Sequence, residues 1–144
     1  MSPQSLSLDQ LPDWARELIE AARVAHLGLL DADDRPRVLP VTFAVAGGSA
    51  WSAVDHKPKR THGAELARVR WLRRNPAAAL TADRYSDDWD RLAWVQLLGP
   101  VAVHDGPDPQ ALAALVRKYD QYRERPPGGP FLELRPERAL CWRA

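Results

Sequence analysis

Three strand-like segments follow one another early in the chain, and the connections between them are very short. Residues 24–30, 37–45 and 51–54 are continuously apolar or alternate large and small side chains, which is typical of β-strands. Turn-forming residues fill 31–36 and 46–49. Because parallel neighbours need a crossover of about a dozen residues or more, these segments predict an antiparallel meander of three strands.

The rest of the chain adds strands to this sheet and helices around it. The predicted elements are helix 11–23, the meander, helix 64–75, strands 77–85 and 93–103, helix 109–122, and short strands at 131–134 and 139–142. With 144 residues, 45% of them hydrophobic, the chain is expected to form one domain over residues 1–144. The predicted fold is α+β but mainly β, an antiparallel barrel with helices on its outside.

Positive charge is concentrated in one part of a nearly neutral chain. The net charge is +1, yet residues 56–75 contain seven Lys and Arg and a single acid. Three of these cations, Lys57, Lys59 and Arg60, surround Pro58 in the turn after the third strand. A turn stiffened by proline that holds three cations suits a phosphate or a carboxylate. A run of charge is also common on a solvated face, so both interpretations stay open.

Pro40 lies inside the second strand-like segment. Proline has no amide hydrogen to give to a neighbouring strand, so its presence indicates an edge strand or a bulge. A planar ligand can dock at such an edge. Pro40 therefore marks a second candidate place for binding.

Several kinds of site lack their sequence signals. The chain contains no glycine-rich or Walker-type phosphate loop and no serine elbow. Its four histidines show no zinc-like spacing and Cys141 is the only cysteine, so no metal site is predicted. Nucleic-acid binding is disfavoured, because a pI near 8.0 comes with no recognised motif.

The expected cellular location also follows from sequence signals that the chain lacks. A single cysteine excludes an internal disulfide. Neither a signal peptide nor an apolar run long enough to cross a membrane is recognisable. We therefore expect a soluble cytoplasmic protein.

Five stretches of the chain form a further pattern through their order and spacing. They are residues 25–30, 35–41, 54–59 and 72–76, and Asp87-Asp88-Trp89 before Trp94-Val95. In this arrangement the chain resembles the pyridoxamine-phosphate-oxidase-like, FMN-binding split β-barrel family. Within that family it resembles the F420-dependent oxidoreductases of actinobacteria.

The resemblance implies a homodimer with two cofactor sites at the subunit interface. The ring would lie against the second and third strands, and the phosphate-bearing tail would meet the basic turn. The implied contacts are Val38, Pro40 and Thr42 at the ring edge, Ser52, Ala53 and Val54 beside it, Lys57, Lys59, Arg60 and Arg74 at the phosphate, and Trp89 or Trp94 of the partner subunit over the ring. Core or subunit packing is an equally good interpretation of each tryptophan.

The same resemblance implies a deazaflavin-dependent oxidoreductase that transfers a hydride between reduced coenzyme F420 and an unsaturated small molecule. The extended anionic tail of F420 suits the basic tract better than the single phosphate of FMN. The alternatives are an FMN-dependent enzyme of the same fold and a non-catalytic flavin- or haem-binding module. No catalytic side chain is predicted, because the cofactor supplies the chemistry.

Overall fold

The computed structural model describes residues 6–54 and 62–144, and of residues 62–66 it describes the helical backbone alone. After a short 3-10 helix, Leu8–Gln10, the elements are α1 Asp13–Ala21, β1 Ala25–Leu30, β2 Pro36–Val41, β3 Ala44–Ala46, β4 Ser49–Ala53, α2 His62–Arg74, β5 Ala77–Arg84, β6 Ala93–His104, α3 Pro109–Lys118, α4 Asp120–Glu124, β7 Phe131–Leu134 and β8 Arg138–Arg143. A second 3-10 helix, Trp89–Arg91, lies in the β5–β6 connection.

The described strands form one curved sheet in which every pairing is antiparallel. Its order is β2-β1-β5-β6-β7-β4-β3, and β8 also pairs with β6. The edge strands β2 and β3 are consecutive in the chain, so the sheet curls into a barrel that stays open between them. The predicted α+β antiparallel barrel is confirmed.

β6 joins the two halves of the barrel because it is long enough to belong to both. β5 pairs with residues 93–100 of β6, while β8 and β7 follow one another along its other edge. The register slips by one residue between Val101↔Leu134 and Leu98↔Arg138, so residues 135–137 form a bulge. Gly99 faces this bulge, and a Cβ atom there would lie 2.1 Å from the Arg135 carbonyl oxygen. Only glycine allows the bulge to approach so closely.

The prediction of one strand over 37–45, in a three-stranded meander, is wrong. The chain leaves the ladder at Thr42 and Phe43, so β2 and β3 are separate strands at opposite edges of the sheet. Phe43 is fully buried there. Its amide donates to the Tyr119 hydroxyl at 3.1 Å, and the hydrogen of that hydroxyl lies between two carbonyl oxygens, of Arg23 at 2.8 Å and of Phe43 at 3.1 Å. Because Tyr119 accepts the buried Phe43 amide hydrogen, the strand can end inside the core.

The helix predicted over 109–122 is likewise divided in two. Tyr119 has extended backbone angles, φ −122° and ψ 120°, between α3 and α4. This extended residue separates the two helices at the position where its side chain reaches Phe43. The hydrogen bond between Tyr119 and Phe43, which are 76 residues apart, therefore outweighs the helical preference of the local sequence.

Two apolar clusters stabilise the fold. The larger one fills the barrel between β1, β5 and β6 and is covered at its ends by α1 and α2. The smaller one lies between β3, β4 and β7 and the helices α3 and α4. Within the described residues, no helix is both long and apolar enough to cross a membrane.

Candidate functional site

One surface of the half-sheet β2-β1-β5-β6-β8 remains partly exposed and is called the open face here. Alternate residues of these strands point into the barrel and are buried, whereas their neighbours point outward. The open face consists of Val38, Pro40, Gly28, His26, Ala79, Thr81, Asp83, Trp94, Gln96, Leu98, Arg138, Leu140 and Trp142. None of its apolar members packs in either core cluster.

One row of the open face is apolar and nearly flat. Gly28 and Ala79, which pair across β1 and β5, project almost nothing from the surface. Val38, which is 66% exposed, and Leu98 lie on either side of this pair, and Trp142, opposite Trp94 and 39% exposed, lies farther along the face. An exposed apolar sheet surface of this kind marks a place for a ligand or a partner.

β2 is an edge strand, as Pro40 predicted. Pro36 and Pro40 pair with Leu30 and His26, and Val38 lies midway between the two prolines. A proline fits within a strand only where its nitrogen faces away from the neighbouring strand. Val38 lies two residues from each proline, so its N–H likewise points away from β1, toward the free edge of the sheet. Of these three outward nitrogens, the Val38 nitrogen alone carries a hydrogen to donate.

A cleft of about 360 Å³ opens at the end of the open face where β5 begins. Leu98 and Arg138 line it. A row of cross-strand partners, Val38, Gly28, Ala79, Leu98 and Arg138, connects the edge of β2 with this cleft. Its volume is within the range of small-molecule sites. Leu98 and Arg138 were not among the predicted site residues, although alternation along β6 and β8 places both on this face.

Three predicted contacts at the end of β4 lie away from the open face. Ser52 and Ala53 are only 8% and 7% exposed. Ser52 lines an internal cavity of about 20 Å³, which is too small for a cofactor, and Ala53 packs in the smaller core cluster. Val54 donates its amide to the Pro130 carbonyl at 2.9 Å. The cofactor roles of these three residues stay predictions.

Thr42 lies just beyond β2, where its hydroxyl is 2.8 Å from that of Tyr122. Val38, Pro40 and Trp94 therefore share the open face, whereas Thr42 belongs to the strand break. Trp89, 70% exposed, lies at the tip of the β5–β6 connection. Such exposure agrees with a role in contacting a partner or ligand, and that role stays a prediction.

Lys57, Lys59 and Arg60 fall outside the described residues. Arg74 ends α2 and binds both carboxylate oxygens of Asp34, at 2.8 and 3.2 Å. Hydrogen bonds from Arg74 lower the pKa of the Asp34 carboxyl group. This ion pair was not predicted from the sequence, because 40 residues separate its members. Arg74 therefore joins α2 to the β1–β2 turn, and its predicted contact with a phosphate stays a prediction.

A polar cluster lies on the other half of the barrel. Ser49 donates to one carboxylate oxygen of Glu133 at 2.7 Å, and His104 is 2.9 Å from the other oxygen. Arg135 lies 3.1 Å from the same carboxylate. A catalytic triad would need the histidine between the hydroxyl and the carboxylate. Here both groups bind the carboxylate, so the cluster is not arranged to activate the serine.

A model of the family described as pyridoxamine 5'-phosphate oxidase matches residues 11–143. This chain belongs to that family. The match includes the open face and the whole barrel. No curated protein matches the sequence.

Solved structures agree with the family assignment at the level of the fold. A heme binding protein from Mycobacterium smegmatis is 20% identical with a TM-score of 0.66, and the match covers 92% of this chain and 55% of that one. An FAD binding protein from the same organism is 15% identical with a TM-score of 0.61, covering 98% and 99%. An F420 reductase is 20% identical with a TM-score of 0.61, covering 90% and 98%. The pyridoxamine 5'-phosphate oxidase family member described here thus has a split-barrel fold.

We expect Glu133→Gln to lower the free energy of unfolding by about 1–3 kcal/mol at pH 7, because it removes charged hydrogen bonds from a partly buried group. Burial raises the Glu133 pKa, but hydrogen bonds from Ser49, His104 and Arg135 outweigh it, so the net pKa is lowered. The carboxylate therefore stabilises the fold above its unfolded-state pKa and loses this contribution as pH falls through the folded-state value.

Urea unfolding at pH 7 and pH 3 measures this difference, with the exposed Glu137→Gln as the matched control. The gap between wild type and Glu133→Gln should shrink in acid, whereas Glu137→Gln should follow wild type at both pH values. Equal effects of the two substitutions at pH 7 would show that the cluster does not stabilise the fold.

Proposed function

We propose that this member of the pyridoxamine 5'-phosphate oxidase family is an oxidoreductase that binds a flavin-like cofactor, with coenzyme F420 as the specific expectation. The observation that supports it best is the β2 edge, where one outward amide stands beside a flat apolar surface. Among the similar structures, the names of an FAD binding protein and an F420 reductase agree with a planar redox cofactor.

The residues present fit a planar ring with polar edges. Gly28 and Ala79 would leave room for the ring on the sheet, and the Val38 amide would donate to a ring carbonyl oxygen. Val38 and Pro40, both exposed, would contact the edge of the ring. Trp94, on the same face, would add aromatic surface beside it.

When bound, such a cofactor supplies a carbon or nitrogen that gives or accepts a hydride. The protein's part is to bind, orient and exclude water. The open face would hold the ring flat and leave its other side for an unsaturated substrate, so that the reacting atoms meet in a fixed geometry. A donor at the ring edge, such as the Val38 amide, would stabilise negative charge that develops on the ring.

The preference for F420 over FMN rests on charge. Lys57, Lys59 and Arg60 follow β4 in the sequence and offer three cations within four residues. The F420 tail presents a phosphodiester and carboxylates, and so meets more of these cations than the single phosphate of FMN does. Arg74 would take part only if its bond to Asp34 were exchanged for one to the cofactor.

A second copy of the chain is the proposed partner. The open face exposes apolar side chains that pack in neither core cluster. A second subunit packed on this face would enclose the ring of a cofactor bound there. Light scattering on purified protein should give twice the chain mass of 16.1 kDa. Leu98→Glu on the open face should lower that mass toward the monomer, whereas Ala113→Glu on the exposed side of α3 should not. A monomeric wild type would remove the second copy from the proposal.

We expect added F420 to bind more tightly than FMN, because its longer anionic tail meets more cations. A fluorescence titration measures both affinities. Lys57→Ala should weaken F420 binding about ten- to a hundredfold, as expected for the loss of a charge-assisted contact. Arg117→Ala, which removes an exposed cation from α3, is the matched control. Equal F420 affinity for both variants would contradict the role of Lys57.

Val38→Pro removes the last outward N–H of β2 and leaves its pairing with β1 intact, since the nitrogen already faces away from β1. The loss of one hydrogen bond should weaken cofactor binding roughly three- to tenfold. Val38→Ala keeps the amide and is the control for the lost side chain. If both variants bind alike in the same titration, the edge amide is not a cofactor contact.

A cofactor-binding protein without turnover is the second candidate, and the name of the similar heme binding protein favours it. The two functions differ in one measurable result. Oxidation of reduced F420 by an activated enone in the presence of the protein would eliminate the binding-only candidate. Tight binding of F420 or heme without such turnover would favour it.

A further inference from the structure

Lysine is rare in this chain. Lys57, Lys59 and Lys118 are its only lysines among 20 Lys and Arg. The first two belong to the basic turn, whereas Lys118 ends α3 on another part of the surface. Lys118 therefore has no role in the proposed cofactor site.

The Lys118 ammonium group is half-buried among aromatic rings. Its Nζ lies 3.8 Å from the centroid of the Phe43 ring and 5.6 Å from that of Tyr119. Its hydrogen bond goes to the Ile19 carbonyl oxygen at a long 3.5 Å. Among the described residues, no carboxylate approaches it within ion-pair distance. The cation is thus held by ring faces and one carbonyl, without an anionic partner.

A second cation stands beside it. The Arg23 guanidinium group lies 4.7 Å from the Tyr119 ring centroid and donates to the carbonyl oxygen of Lys118 at 2.8 Å. On α1, Glu20 is the nearby acid, and it acts only through its longer-range charge. Arg23 therefore makes this amine a place where a small anion is attracted.

Burial, and next the charge of Arg23, lower the Lys118 pKa from 10.5 to about 8, against the opposing influence of Glu20. At pH 7.5 a lysine with this pKa is neutral in a much larger fraction of molecules than an ordinary lysine. Only the neutral amine is a nucleophile. Its reactivity at neutral pH should therefore exceed that of an exposed lysine.

We propose that Lys118 is an acylation site that reacts with small anionic acyl donors of the acyl phosphate class. The amine lone pair attacks the acyl carbon, a C–N bond forms, and the C–O bond to phosphate breaks. Inorganic phosphate leaves and the amine proton passes to solvent, so the product is a neutral amide. This modification is independent of the proposed cofactor and substrate.

The reaction would remove one positive charge at the junction of α1 and α3. The donor facing the Ile19 carbonyl near the end of α1 would become a neutral amide N–H, and the Phe43 ring would lose its cation. Phe43 lies at the break between β2 and β3. Acylation therefore acts on the segment that separates the open edge from the rest of the barrel.

The test uses acetyl phosphate and the intact protein, with peptide mass spectrometry to follow each lysine over time. At pH 7.5, Lys118 should be acetylated roughly tenfold faster than the same residue in a synthetic peptide of residues 114–123. The gain is smaller than the ratio of neutral fractions because a less basic amine is also a weaker nucleophile. The rate should level off near pH 8, whereas the peptide rate should keep rising to higher pH.

Two exposed substitutions should move the rate in opposite directions. Glu20→Gln removes the charge that raises the Lys118 pKa and should speed acetylation, whereas Arg23→Gln should slow it. With p-nitrophenyl acetate, a neutral donor, Arg23→Gln should slow the reaction less than with acetyl phosphate. Unchanged urea midpoints verify that the variants fold. The proposal would be overturned if Lys118 had the rate and pH profile of the peptide, or if neither substitution changed its rate. Equal slowing of both donors by Arg23→Gln would overturn the preference for anionic donors.

Discussion

The buried hydroxyl of Tyr119 determines where the barrel is open. It accepts the Phe43 amide hydrogen at 3.1 Å and lies within hydrogen-bond distance of the carbonyls of Arg23 and Phe43, at 2.8 and 3.1 Å. These bonds satisfy the backbone where β2 ends, so β3 can begin at the far edge of the sheet without a buried unpaired amide. The hydroxyl is protonated at neutral pH and can donate, and burial raises its pKa further. The free edge of β2 exists because the chain departs here.

Local patterns predicted most elements, but not the two boundaries at which Tyr119 acts. Alternation identified the strands around Leu39 and Trp51, and helical spacing identified α1 and α2. The division of residues 37–45 into two strands, and of 109–122 into two helices, depends on a contact between residues far apart in sequence. No window of a few residues contains that information. The antiparallel fold was nevertheless predictable, because short connections exclude crossovers whatever the exact strand ends.

The candidate site was predictable in part. Pro40 indicated an edge strand, and the structure places it there beside Val38. Whether Ser52 and Ala53 face a ligand or the core was not predictable, because both faces of β4 are buried. The sequence alone predicted that Arg74 could bind an anion, because Asp34, its partner in the folded protein, is far away in the sequence. Cross-strand register, rather than the composition of any one strand, assembles Gly28, Ala79 and Leu98 into a surface.

The long strand β6 has a mechanical consequence. Its hydrogen bonds to β5, β7 and β8 make it the spine that the two halves of the barrel share, and the bulge opposite Gly99 keeps the β7–β8 segment attached along its length. No ladder pairs β2 with β3 in the described strands. We therefore expect relative motion of the two halves to be largest where β2 and β3 are not hydrogen-bonded to each other. A molecule bridging these two strands would damp that motion in both halves at once.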